Sequence, residues 1–141
     1  MYGRGMRDAQ QILRDVKTIA VVGASRYPGK TAHSVPLQMQ RHGWRIIPVN
    51  PYATEIFGER AYPTLDAVPD SIDLVNVFRP SADATAVVRA AVAIGAPAIW
   101  LQLGIVSAVG RKLAEEAGVD YVEDTCIAVE RALGQISPPA A

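Results

Sequence analysis

Five short apolar runs divide this chain, and each ends at a turn signal. They fall at residues 19–22, 44–49, 72–78, 98–103 and 119–122. The turn signals are Gly23, Asn50-Pro51, Arg79-Pro80, Gly104 and Asp124. None of the runs alternates strictly between apolar and polar residues. A strand of that kind is covered on both faces, as in a parallel sheet. Helical spacing lies before and between the runs. Ala9, Ile12, Leu13 and Val16 mark one stripe, and Ala84, Val87, Val88 and Ala91 another. Ser34, Ser81, Ser107 and Thr125 are expected as helix N-caps, with Pro36 in a first turn and Gly43, Gly95 and Gly118 as stops. Residues 50–70, with Pro51, Gly58, Pro63 and Pro69, read mostly as loop.

Strand alternating with helix defines an α/β domain. Right-handed crossovers then favour a doubly wound, Rossmann-like sheet of five parallel strands in the order 3-2-1-4-5, sandwiched in three layers. The 141 residues suit one domain, with its core over about 10–133, a loose glycine-rich start at 1–5 and a flexible tail at 134–141.

Charge narrows the partners. Fourteen basic residues balance fourteen acidic ones, and no basic tract stands out. Nucleic acid is therefore not an expected partner. No run approaches the roughly 18 apolar residues of a membrane helix, and the N-terminus lacks the apolar stretch of a secretory signal. With Cys126 the only cysteine, neither an internal disulfide nor a four-thiolate zinc site can form. The expected location is the cytoplasm. His33 and His42 have no third ligand at metal spacing, so no metal site is expected.

Ligands of doubly wound sheets bind beyond the carboxyl ends of the strands. After the first strand comes Gly23-Ala24-Ser25-Arg26-Tyr27-Pro28-Gly29-Lys30-Thr31. Such a turn, opening a helix and carrying Arg26 and Lys30, points to a phosphate site. A relaxed Walker pattern also fits it, with Ala24 in the first glycine position, so a P-loop nucleotide hydrolase is one alternative. A dinucleotide fingerprint fits poorly. Ser25 and Pro28 replace two of its glycines, and the second strand ends in Val49-Asn50-Pro51 without the acidic residue that binds the ribose. An NAD(P)-binding oxidoreductase is thus an imperfect fit and stands beside the hydrolase as an enzyme alternative, and a Rossmann-shaped interaction protein is a third class. Phe78, Arg79 and Pro80 could flank a nucleotide, and Gln102, Leu103 and Gly104 could border an uncharged polar chain. Cys126, near the start of the last helix, reads more readily as a small buried hydrophobe than as a nucleophile.

The ordered set Ile19-Ala20-Val21-Val22-Gly23-Ala24-Ser25, Pro28, Val49-Asn50-Pro51, Tyr62-Pro63-Thr64-Leu65, Val77-Phe78-Arg79-Pro80, Trp100-Leu101-Gln102-Leu103-Gly104-Ile105 and Asp124-Thr125-Cys126-Ile127-Ala128-Val129-Glu130 resembles the small stand-alone CoA-binding domain proteins. Those proteins are similar to the N-terminal domain of the succinyl-CoA ligase alpha subunit. The resemblance covers about residues 10–133. It implies a domain that binds coenzyme A or an acyl-CoA, acting as sensor, carrier or module for a protein partner or a second copy. Gly23, Ala24, Ser25, Pro28 and Lys30 would line the diphosphate. Val49, Asn50 and Pro51 would border the adenosine, Phe78, Arg79 and Pro80 would flank the nucleotide, and Gln102, Leu103 and Gly104 would follow the pantetheine arm. The ligase pattern has a lysine shortly after the proline of the second strand end, whereas Tyr52, Ala53 and Thr54 follow Pro51 here. Arg26 or Arg79 would then have to meet the 3′-phosphate. The ligase forms its phosphohistidine in a further domain, and neither His33 nor His42 matches that residue. The expectation is thus binding without catalysis.

Overall fold

The computed structural model of the chain describes residues 6–140. The expectation for residues 1–5 lies outside the described residues. Five parallel strands form the main sheet: β1 (Thr18–Val22), β2 (Arg45–Val49), β5 (Leu74–Val77), β6 (Ala98–Leu101) and β7 (Asp120–Val122). Two short strands, β3 (Glu55–Ile56) and β4 (Glu59–Arg60), pair as an antiparallel ribbon between β2 and β5 in the chain. The helices are α1 (Ala9–Asp15), α2 (Thr31–Arg41), α3 (Ser81–Ala93), α4 (Ala108–Ala117) and α5 (Ile127–Gly134). Among the described residues, no helix is long and apolar enough to cross a membrane.

The strands are buried on both faces because both faces carry helices. Ile19, Val21, Leu74, Ala98 and Trp100 face one way, into a core shared with α1, α2 and α5. Ala20, Val75, Val77, Ile99 and Leu101 face the other way, against α3 and α4. These are the three layers the sequence implies. Trp44 and Trp100 anchor the first core: each is fully buried, and their indole N–H groups donate to the carbonyls of Val16 at 3.0 Å and Thr125 at 2.8 Å.

The sheet is doubly wound, in the order β2-β1-β5-β6-β7. Residues 72–78, expected as the third strand outside the second, instead lie against β1. The reason lies in residues 55–62, expected to be loop. Tyr62 forms a parallel bridge to Val49, its N–H donating to Pro48 and its carbonyl accepting from Asn50. This one-residue strand fills the outer place, so the next run must cross to the other side of β1. Counted with it, the order reads 3-2-1-4-5-6. The crevice where the winding reverses therefore falls between β1 and β5.

Three helix starts also differ from expectation. α2 begins at Thr31 rather than after Ser34, which puts Pro36 inside the helix. The N-caps of α3 and α5 are Pro80 and Cys126, while Ser107 caps α4 as expected, accepting from the Gly110 N–H at 2.8 Å. The tail, expected to be flexible, is docked at Ile136, which is 3% exposed and part of the first core. Beyond it, Pro138 packs near Gly43.

Trp100→Ala should lower stability by about 3–5 kcal/mol. Urea unfolding followed by circular dichroism would measure it, and a loss below about 1 kcal/mol would mean that the first core does not depend on this ring.

Candidate functional site

The chain leaves β1 through Gly23, at φ of +92°. A Cβ there would lie 3.0 Å from the Phe78 carbonyl oxygen and 3.1 Å from the Arg79 Cδ. Only glycine allows both the left-handed turn and this approach of the β5 end.

The loop that follows is tied down on three sides. The Ser25 N–H donates to the Ala32 carbonyl at 3.0 Å. That carbonyl is available because Pro36, four residues further along α2, has no N–H to give it. The Ser25 carbonyl accepts from His33 Nδ1 at 2.6 Å, and the Ser25 hydroxyl accepts from the Tyr27 N–H at 3.0 Å. From β2, Asn50 reaches across: its Nδ2 donates to the Ala24 carbonyl at 2.8 Å. The Asn50 Oδ1 accepts from the N–H groups of Tyr52 at 2.7 Å and Ala53 at 3.1 Å, an Asx turn. α2 opens beside this loop. Its N-cap, Lys30, supplies no capping side chain, and while the His33 N–H turns back to the Lys30 carbonyl at 3.0 Å, the N–H groups of Thr31 and Ala32 remain open.

Two adjoining compartments lie in the crevice. The larger, about 440 Å³, is walled by apolar side chains, chiefly Val22, Val49, Pro51, Leu65 and Val87, with Arg79 also on its wall. The smaller, about 270 Å³, is the more polar of the two and is lined by Ala24, Ser25, Arg26 and Tyr27. Gly23, Asn50 and Tyr52 belong to both. An apolar slot beside a few fixed polar groups is the usual form of a small-molecule site.

The cations differ in their surroundings. Arg79 Nη2 lies 2.8 Å from Asp83 Oδ2, an exposed pair one helical turn apart. Arg26 lies over the Tyr27 ring, its Cζ 5.1 Å from the centroid, and its Nη2 donates to the Tyr27 hydroxyl at 3.0 Å. Among the described residues, Arg26 forms no ion pair.

Of the residues expected from the sequence, Gly23, Ala24, Ser25, Arg26, Val49, Asn50, Pro51 and Arg79 line the two compartments. Pro28 and Lys30 are exposed and line neither, so the lysine that a P-loop would aim at phosphates stands outside. Phe78 packs against the first core, and Pro80 caps α3. Gln102 is buried, with its Oε1 accepting from the Ile127 N–H at 3.3 Å, so its amide caps α5. Leu103 is exposed, and the Gly104 N–H donates to Asp124 Oδ1 at 2.7 Å. Neither of these, nor Cys126, lines a compartment. Sequence reasoning missed Val22, Tyr27, Tyr52, Pro63, Thr64, Leu65, Ala86 and Ala90 as site walls. Val87 falls on the stripe assigned to the core, and nothing in helical spacing separates a core position from a cleft wall. Among the described residues, no three His, Cys, Asp or Glu side chains group as metal ligands.

Fold and cleft together define a doubly wound α/β domain with an open crevice at its switch point. The chain belongs to the CoA-binding domain family, whose model matches residues 17–132. It is 38% identical over 133 residues to the uncharacterized protein YneT of Bacillus subtilis, covering 94% of this chain and 98% of that one. It is 35% identical over 74 residues to the ADP-forming acetate–CoA ligase II of Archaeoglobus fulgidus, covering 49% of this chain but only 11% of the ligase. A solved structure of a hypothetical protein from Pyrococcus horikoshii superposes with a TM-score of 0.85 at 33% identity, covering 89% of this chain and 88% of that one.

Gly23→Ala should cost about 1–3 kcal/mol, since it places a side chain in left-handed backbone against β5. Asn50→Ala should cost about 2 kcal/mol by removing three hydrogen bonds. Thermal unfolding of each variant measures both, and a Gly23→Ala protein as stable as the parent would contradict the close packing described here.

Proposed function

We propose that this chain binds coenzyme A or an acyl-CoA in the β1/β5 crevice and holds it without transforming it. The observation that carries this reading is the pairing of an apolar slot with a donor-rich polar compartment, both built around Gly23. Adenine would enter the slot between the β2 end and α3, near Pro51, Leu65 and Val87. The diphosphate would meet the backbone N–H groups of Ala24 and Arg26 in the turn and of Thr31 and Ala32 at the start of α2. The exposed Leu103 and Gly104, beyond the end of β6, would border the pantetheine arm. Family membership supports the same ligand.

The residues at the cleft support binding rather than turnover. The polar side chains that could take part in acid–base work are already committed to the backbone: Asn50 to Ala24, Tyr52 and Ala53, and Ser25 to Tyr27. The His33 ring is bound to the Ser25 carbonyl. What remains at the cleft is cationic or hydroxylic, and such groups neutralise and orient a phosphate. A hydroxyl becomes a nucleophile for acyl transfer only beside a general base, and among the described residues no hydrogen bond joins a cleft hydroxyl to a carboxylate or an imidazole. The ligand would be delivered to, or sensed by, a partner. The matched part of the A. fulgidus ligase is likewise only a small share of that enzyme.

Isothermal titration of ligand-free protein with CoA should show one site per chain and a raised melting temperature. ATP–magnesium and NADP should bind more weakly. Chromatography of acetyl-CoA incubated with the protein should recover it intact. Absence of any CoA heat would end the binding reading, and steady consumption of acetyl-CoA would end the non-catalytic one.

A further inference from the structure

We infer that Arg26 is the residue by which this chain distinguishes coenzyme A from its dephosphorylated form, by receiving the 3′-phosphate in the polar compartment. The inference rests on the CoA reading above and deepens it. The sequence leaves two candidates, Arg26 and Arg79, because Tyr52 follows Pro51 where the ligase pattern has a lysine nearby. The structure separates them by their surroundings.

Arg79 stands on the wall of the apolar slot, and its guanidinium is already paired with Asp83 at 2.8 Å. A phosphate arriving there would meet a carboxylate close to the cation. Arg26 lines the polar compartment and forms no ion pair among the described residues. Its position is set instead by Tyr27, through a hydrogen bond of 3.0 Å and the ring beneath it. Such a perch restrains the guanidinium while leaving its charge uncompensated and its other N–H groups available.

The compartment's remaining polarity has the same sign. The Asn50 Oδ1 already accepts two backbone N–H groups, and the Ser25 carbonyl and hydroxyl are both engaged as acceptors. The Arg26 guanidinium is therefore the charged donor on the compartment wall, beside the exposed side chain of Tyr52. An unpaired guanidinium beside side-chain acceptors already in use suits a phosphate dianion. It gives no advantage to the neutral hydroxyl that dephospho-CoA carries at that carbon.

Calorimetric titration of the full chain with CoA and with dephospho-CoA tests this. The parent protein should bind CoA about tenfold more tightly or better. Arg26→Gln should bring CoA down to the dephospho-CoA level and change dephospho-CoA by less than about twofold. Arg26→Lys should restore part of the difference, and the preference for CoA should shrink as salt rises. Arg79→Gln should leave the ratio between the two ligands unchanged. Because Arg26 is exposed, the variants should melt with the parent, and a thermal scan confirms that. Equal losses for both ligands in Arg26→Gln would place this residue on the diphosphate and overturn the inference. So would a parent that binds both ligands alike, or a ratio that follows Arg79. A parent that binds neither ligand would refute the CoA reading itself.

Discussion

One missing proton donor organises the mouth of this protein. Pro36 sits inside α2, where its lack of an N–H leaves the Ala32 carbonyl without a helical partner. The Ser25 amide fills that vacancy at 3.0 Å. A proline that would ordinarily weaken a helix thereby fastens the β1–α2 loop to the helix it precedes. Asn50 fastens the same loop from the opposite side, through the Ala24 carbonyl. The loop is held between a helix and a neighbouring strand, and its shape does not depend on a ligand to fold it. A preorganised site loses less entropy when it binds.

The same bonds decide the chemistry left over. Each polar side chain spent on the backbone is removed from the set that can meet a ligand. Asn50, Ser25 and His33 are spent in this way, and the guanidinium of Arg26 is not. The two compartments then differ by construction. One is walled by the strand ends and α3, the other by the braced loop. Gly23 stands at their junction because no side chain fits between it and the end of β5.

Much of the architecture was legible from the runs of apolar residues. A strand without polar alternation has to be covered twice, and that requirement alone implies parallel pairing with helices on both faces. The outer strand was not legible. It consists of Tyr62 alone, bridged to Val49, within a stretch rich in turn residues. One residue carries no periodicity, yet it occupies the edge of β2 and sends the next strand across the sheet. The interior position of Pro36 was hidden for a similar reason. Helix propensity places proline in a first turn, and only the neighbouring Ser25 amide makes a later position tolerable.

By itself, the chain's order of residues determined the layered α/β class, the turn at Gly23 and eight of the residues that line the crevice. Backbone geometry and burial are local or nearly local demands, and they leave their mark on composition and spacing. Tertiary structure alone decided where the crevice falls, that the Gln102 amide caps α5, and that Arg79 is paired with Asp83 while Arg26 forms no ion pair among the described residues. Those outcomes depend on which groups meet across elements distant in the chain. A hydrogen bond or ion pair consumes a side chain only when its partner arrives, and no local pattern records that arrival.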